Sequence, residues 1–236
     1  MMENKNTNSN HKTLYLIGGV AALLQLASIL AYTIALATLG PKPTSAEAYF
    51  TIQQSSKLAS VLRGDFLLLI LIGLYLFTFS ALYVALRKVN PVLTALATLF
   101  TFIAVTLTFA NESTFSMLYL GEQYAAATSA AQRAQFLAAG EAVIASDMWN
   151  SSAAYMSGIL LQGAGVLISL IMLGSEDFSK VSAYSGLLGN GFDLMQHILH
   201  PFAPSISGVI TSFMGLFYLV WFFMLGRDLL RLGRKT

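Results

Sequence analysis

The chain has 236 residues, of which 56% are hydrophobic and 10% charged, against roughly 25% charged in ordinary soluble domains. Its mean hydropathy of +0.68 excludes a conventional water-soluble core. A net charge of +2 is too small and too scattered for a nucleic-acid interface, and with no cysteine there is neither a disulfide framework nor a thiolate site.

Five stretches, 14–39, 66–86, 92–110, 153–173 and 206–225, are apolar and contain no Asp, Glu, Lys, Arg or His. Each is close to the ~20 residues with which a helix crosses ~30 Å of hydrocarbon. The first follows a short polar tail, 1–12, that carries Lys5 and Lys12. A basic start and the small residues Ala35-Leu36-Ala37 also suit a secretory signal, but the apolar run is about twice the usual 7–15 residues and reads as a retained anchor. Ala27, Ala31 and Ala35 put small residues four apart on this span, as Ala154 and Gly158 do on the fourth, a spacing that lets helices pack closely.

After the first span, Pro41-Lys42-Pro43-Thr44 ends a helix, and Thr44 or Ser45 with Glu47 begins another. Tyr49, Phe50, Ile52, Leu58, Val61 and Leu62 make the segment that follows amphipathic, suited to the membrane face or to covering the bundle. Asn90-Pro91 allows only a tight turn before the third span, because Pro suits a first helical turn and disfavours helix just before it. Spans two and three are therefore expected to form an antiparallel hairpin tipped by Arg87 and Lys88.

The longest polar insert, 111–150, contains Glu112, Glu122, Glu141 and Asp147 against Arg133. Ser129 and Gln132 resemble a capping box, and Phe136, Leu137, Gly140, Val143 and Ile144 recur at helical spacing. A helical hairpin capping the outer end of a bundle is expected, as a lid, a docking surface or a plain structural cap.

Three runs carry a family resemblance. They are 111–128, from Asn111-Glu112-Ser113-Thr114 through Gly121-Glu122-Gln123-Tyr124; 131–142, from Ala131-Gln132-Arg133 to Gly140-Glu141-Ala142; and Phe178-Ser179-Lys180-Val181-Ser182-Ala183-Tyr184. The chain resembles, over most of its length, bacterial membrane proteins grouped as a family of unknown function (DUF 4386). The resemblance implies a six-helix integral membrane protein. It supplies no activity, cofactor or catalytic residue, so no site residue is carried over from it.

Residues 181–200 are long enough for a sixth span, ~30 Å at 1.5 Å per residue, though far more polar than the rest. Charge favours counting them. With six spans and both termini inside, the cytoplasmic side holds nine basic residues, Lys5, Lys12, Arg87, Lys88, Lys180, Arg227, Arg231, Arg234 and Lys235, and the outside holds four, Lys42, Lys57, Arg63 and Arg133. Five spans separate the charges less well in either orientation.

On a helix at 100° per residue, Ser182, Gly186, Gly189, Asn190, Asp193, Gln196, His197 and His200 share one side. Ionisable groups at membrane depth are costly and mark a pathway or site by default. One reading is a cavity lined by Asn190, Asp193, Gln196 and His197, in which Asp193 takes a proton or cation and His197 titrates. A second is a divalent metal held by Asp193, His197 and His200, with Glu112 and Asp147 within possible reach, activating water in an intramembrane hydrolase. In the third, Asp193 and His197 satisfy each other and glue the helix to its neighbours.

Trp149, Tyr218, Trp221 and Phe222 lie toward span ends, where such rings commonly anchor at the interface. The closing segment 227–236, with Arg227, Arg231, Arg234 and Lys235, suits anionic lipid headgroups. No phosphate loop, nucleophile elbow, His-Glu-x-x-His motif or dinucleotide fingerprint occurs. The expectation is an all-α, six-span bundle with short amphipathic helices in its outer loops, in a bacterial cytoplasmic membrane with both termini inside. Its function is a small-solute or proton-coupled carrier, a metal-dependent intramembrane hydrolase, or a structural or partner-binding subunit; no cofactor is expected beyond the metal of the second reading.

Overall fold

A computed structural model describes residues 2–146 and 149–235, with side chains from Asn10 onward except that of Ser212. Among the described residues every regular element is an α-helix: α1 (Met2–Leu39), α2 (Ala46–Ser55), α3 (Lys57–Arg63), α4 (Phe66–Leu86), α5 (Pro91–Asn111), α6 (Thr114–Ala126), α7 (Ala130–Ile144), α8 (Ser152–Leu173), α9 (Lys180–Leu199) and α10 (Pro204–Lys235). Five helical stretches are long and apolar enough to cross a membrane: 10–39, 66–86, 91–126, 152–173 and 204–235. The third of these joins α5 to α6 across the bend at Glu112.

Local chemistry sets the helix ends. Asn90, the N-cap of α5, accepts the Leu93 N–H at 3.0 Å, and Pro91 fills a position whose N–H has no helical partner. Ser45, Ser56, Ser151 and Ser179 cap α2, α3, α8 and α9 in the same way. At α7, Ser129 Oγ accepts the Gln132 N–H, while the Gln132 side-chain Oε1 takes the Thr128 N–H, one residue earlier than in a standard capping box.

Six long helices form a closed ring in chain order. α1 packs on α4, α4 on α5, α5 on α8, α8 on α9, α9 on α10, and α10 returns to α1. The ring encloses Tyr75, Phe79, Leu82, Ile168, Met172, Trp221, Phe222 and Leu225, all buried. Tyr75 meets Phe222 edge-on, with centroids 5.9 Å apart. Outward-facing positions are apolar too, Ile34, Val92, Phe213 and Leu216 among them, as a lipid-facing surface requires.

The structure corrects two packing expectations. Trp221 and Phe222 are 0% and 1% exposed and Tyr218 is buried beside them, so these rings form the core instead of anchoring at an interface. Of the small residues on α1, Ala35 is buried but Ala27 and Ala31 are exposed, and the closest approaches run through Gly18 to Ala81 of α4 and through Gly19 to Leu230 of α10. The closing basic residues continue the helix, as the last turns of α10, with Leu229 and Leu232 buried and Gly233 against Leu16.

At one end of the ring, α2, α3, α6 and α7 form a cap with its own small core, Ala46, Tyr49, Phe50 and Met117, against which Leu137, Val143 and Ile144 pack. The Glu141 carboxylate accepts the Ala46 N–H at 2.8 Å, and Lys57 pairs with Glu122 at 2.6 Å. The opposite end carries Arg87, Lys88, Lys180, Arg231, Arg234 and Lys235 and is called the basic end below.

Candidate functional site

The polar face of α9 is turned inward. Ser182, Gly186, Gly189, Asn190, Asp193, Gln196 and His197 are all buried and His200 is half-buried, while Leu188, Met195 and Ile198 face out. This is the inverse of a soluble amphipathic helix, and it fits a helix whose outer surroundings are apolar.

α8 makes room for this face. Gly158 lies against the His197 ring and Gly165 against the Asn190 carboxamide, so closely that a methyl at either would overlap its partner. Both pairs are seven residues apart on their helices, and Gly186 meets Ser169 in the same antiparallel register. The Tyr155 hydroxyl of α8 donates to the His197 carbonyl at 2.9 Å.

Asp193 is the centre. His197 Nδ1 lies 3.1 Å from Asp193 Oδ1 and 2.9 Å from the Asp193 carbonyl, and Gln196 Nε2 donates to Oδ1 at 3.2 Å. From α10, the Tyr218 hydroxyl lies 2.8 Å from Asp193 Oδ2 and 2.7 Å from Gln162 Oε1 of α8. One proton cannot serve both. It goes to the carboxylate, the stronger acceptor, and the Gln162 carboxamide completes the pair by presenting its NH2 to the phenol oxygen. The Asn190 carboxamide donates to the Gly186 carbonyl at 2.8 Å.

Toward the cap the network continues more loosely. Thr211 donates to Gln196 Oε1, Ser207 Oγ lies 3.5 Å from the same oxygen, and His200 Nδ1 is 3.3 Å from Ser207 Oγ. Trp149 stacks on the His200 ring, with centroids 3.7 Å apart at 19°, and stands 5.1 Å from the His197 ring.

The four cavity candidates, Asn190, Asp193, Gln196 and His197, are therefore brought together, and all are 5% exposed or less. The metal candidates are not assembled in the same way: Asp193 and His197 meet, while His200 turns to Ser207 and Trp149. Among the described residues no group of three or more His, Asp or Glu side chains is arranged to hold a metal ion. Glu112 instead accepts from Thr114 of the cap, and Asp147 lies outside the described residues. The two grooves that stand out lie elsewhere, one lined by Leu16, Val20, Leu24, Leu74 and Phe77, the other by Gln53, Lys57, Gly121 and Glu122 of the cap.

Sequence reasoning missed Tyr218, Gln162 and a second buried carboxylate. Asp228 of α10 is 0% exposed and accepts the Ser179 N–H at the start of α9 at 2.9 Å and the Arg227 guanidinium at 2.9 Å. A lone amide in an apolar run was the available signal for Gln162, and it applies equally to Gln25, which donates to the Leu71 carbonyl and accepts from Thr78.

Residues 13–227 match the family model described as "Domain of unknown function (DUF4386)". No curated protein and no solved structure matches the chain.

Proposed function

We propose, from the premise that the chain belongs to the DUF4386 family, a domain of unknown function, that it is a six-span integral membrane protein of a bacterial cytoplasmic membrane whose Asp193 centre binds a proton in a small-solute or proton-coupled carrier. One observation carries this reading. Tyr218 links Asp193 to Gln162, which lies at the middle of the 22-residue α8, about 15 Å from either end at 1.5 Å per residue. Asp193 thus lies near the mid-plane of an apolar bundle, a costly placement that ordinarily serves ion or proton movement, while His197 is level with Gly158, nearer the cap.

Counting α9 as the sixth span is supported by its packing along both α8 and α10, in a register that repeats down the helix. Alignment with two neighbours that are long and apolar enough to cross supports a crossing for α9 over a flat placement at the interface. Charge supports the orientation: the basic end faces the cytoplasm and the cap faces out.

The test is proton binding by the full-length protein in liposomes. An acid pulse is expected to produce an infrared band of a protonated carboxyl that is lost in Asp193→Asn, and to give solute-dependent proton flux with one member of a panel of sugars, amino acids and alkali cations. Identical spectra and fluxes in both proteins would refute the reading. A second reading, a structural or partner-binding subunit, is favoured by the fully partnered Asp193 carboxylate. It predicts that Asp193→Asn alters thermal stability and nothing else.

A further inference from the structure

The Asp193 centre is held unequally on its two sides. Toward the basic end the contacts are at backbone closeness: a methyl on Gly186 would overlap both Ser169 Oγ of α8 and Trp221 Nε1 of α10. All three neighbours are buried, and Trp221 is 0% exposed. The hydrogen-bond chain also stops here. Among the described residues neither Trp221 Nε1 nor Ser182 Oγ has a partner, and Asn190 turns its NH2 to the Gly186 carbonyl of its own helix. The buried Ser169 and Ser185 hydroxyls turn to backbone carbonyls of their own helices, so among the described residues no side-chain-to-side-chain bond passes from Asn190 toward Ser179 and Asp228.

Toward the cap the situation is reversed. Gln196 joins Asp193 to Thr211 and Ser207, and Ser207 leads to His200. The contacts of Ser207, at 3.5 and 3.3 Å, are at the weak limit of hydrogen bonding, so a water that inserts between these groups replaces little. His200 is half-buried, Ser207 is 2% exposed, Thr211 reaches the bundle surface two turns into α10, and α9 ends at Leu199 beside the exposed Pro201 and Phe202. Near this route the titratable groups are Asp193, Tyr218, His197, His200 and Tyr155, with Trp149 stacked on the His200 ring and tilted against that of His197.

We infer that water reaches Asp193 from the cap side alone, along Gln196, Ser207, Thr211 and His200, and that the Gly186–Ser169–Trp221 contact is the barrier closing the site toward the basic end. The inference rests on Asp193 being the proton site, and it adds the side from which that site is served.

The absence of cysteine gives a direct test, because Thr211→Cys and Ser169→Cys each carry a single thiol of nearly native shape. Full-length variants in vesicles are exposed to a charged, membrane-impermeant methanethiosulfonate on one side at a time. Leu58→Cys in the cap and Lys235→Cys at the basic end mark the two faces. Thr211→Cys is expected to be modified from the cap side and protected from the other, and Ser169→Cys to be protected from both. Modification of Ser169→Cys from the basic end, or protection of Thr211→Cys from both sides, overturns the inference. Should Thr211→Cys lose its cooperative melting, Ser207→Cys takes its place with the same expectation. Proton binding is read separately from the Asp193 infrared band. Bound protons with a sealed Thr211→Cys would overturn the route alone, and an open route without proton binding would overturn the carrier reading alone.

Discussion

At the residue scale, two glycines set the shape of the centre more directly than the charged groups do. Gly158 and Gly165 have no side chain because His197 and Asn190 occupy that space. Gly158→Ala or Gly165→Ala is expected to lower stability by ~1–3 kcal/mol through overpacking, measured as thermal unfolding in detergent. Gly163→Ala, one position from Gln162 with nothing within 4 Å of the new methyl, provides the control. It should be neutral or raise stability by a few tenths to ~1 kcal/mol, as Ala for Gly in a helix does; equal losses at all three sites would disprove the space-filling account. The polar half of this arrangement was legible from spacing alone, since Asn190, Asp193, Gln196 and His197 recur on one helical face. Tyr218 was not. An aromatic hydroxyl near a span end has two plausible environments, and only the inward turn of α10 decides that it faces a carboxylate and not headgroups.

Among the elements, the cap offers a group whose chemistry can be followed by pH. Tyr49 of α2 is buried, and its pKa is pushed up to about 12, first by burial and then by the nearby Glu112 and Asp65 carboxylates, against a smaller lowering by the Thr114 hydroxyl. The unfolded chain loses this proton near pH ~10, while the folded cap holds it to about 12. The folded state binds more protons in that window, so stability is intact below it and falls as pH rises across it. Melting followed between these two values should show a decline that Tyr49→Phe removes; an unchanged slope in the variant would mean that another group is responsible. The cap helices were readable in the sequence because Ser45, Ser129 and the apolar spacing of 136–144 are local signals. The small-residue face of α1 was only partly right because spacing gives a face without its direction: Ala35 is buried, Ala27 and Ala31 point outward, and the closest approaches are made by Gly18 and Gly19, two turns earlier.

For the whole molecule, the decisive quantity is the parity of the crossings. A closed ring of six long helices in chain order places both ends of the chain at the basic end, opposite the cap. Reporter fusions at the two termini are expected to respond on the same side of the membrane, with a tag at Leu58 on the other; termini on opposite sides would remove α9 from the count of spans. Composition made the membrane class and five of these helices plain, since each apolar run contains no charge. The ring itself could not be read, because its closure depends on α1 meeting α10 through Gly19, Gly226 and Gly233, far apart in the chain and ordinary in a membrane sequence.

That closure joins the first helix to the last, and α10 also supplies Tyr218 to Asp193 and Asp228 to the start of α9. α9 therefore precedes in the chain the helix that brings the Tyr218 hydroxyl to its Asp193 carboxylate and the Asp228 carboxylate to its first turn. The polar helix is thus partnered by a segment that follows it, and a chain cut before α10 is expected to leave Asp193 without the Tyr218 hydroxyl and the start of α9 without Asp228.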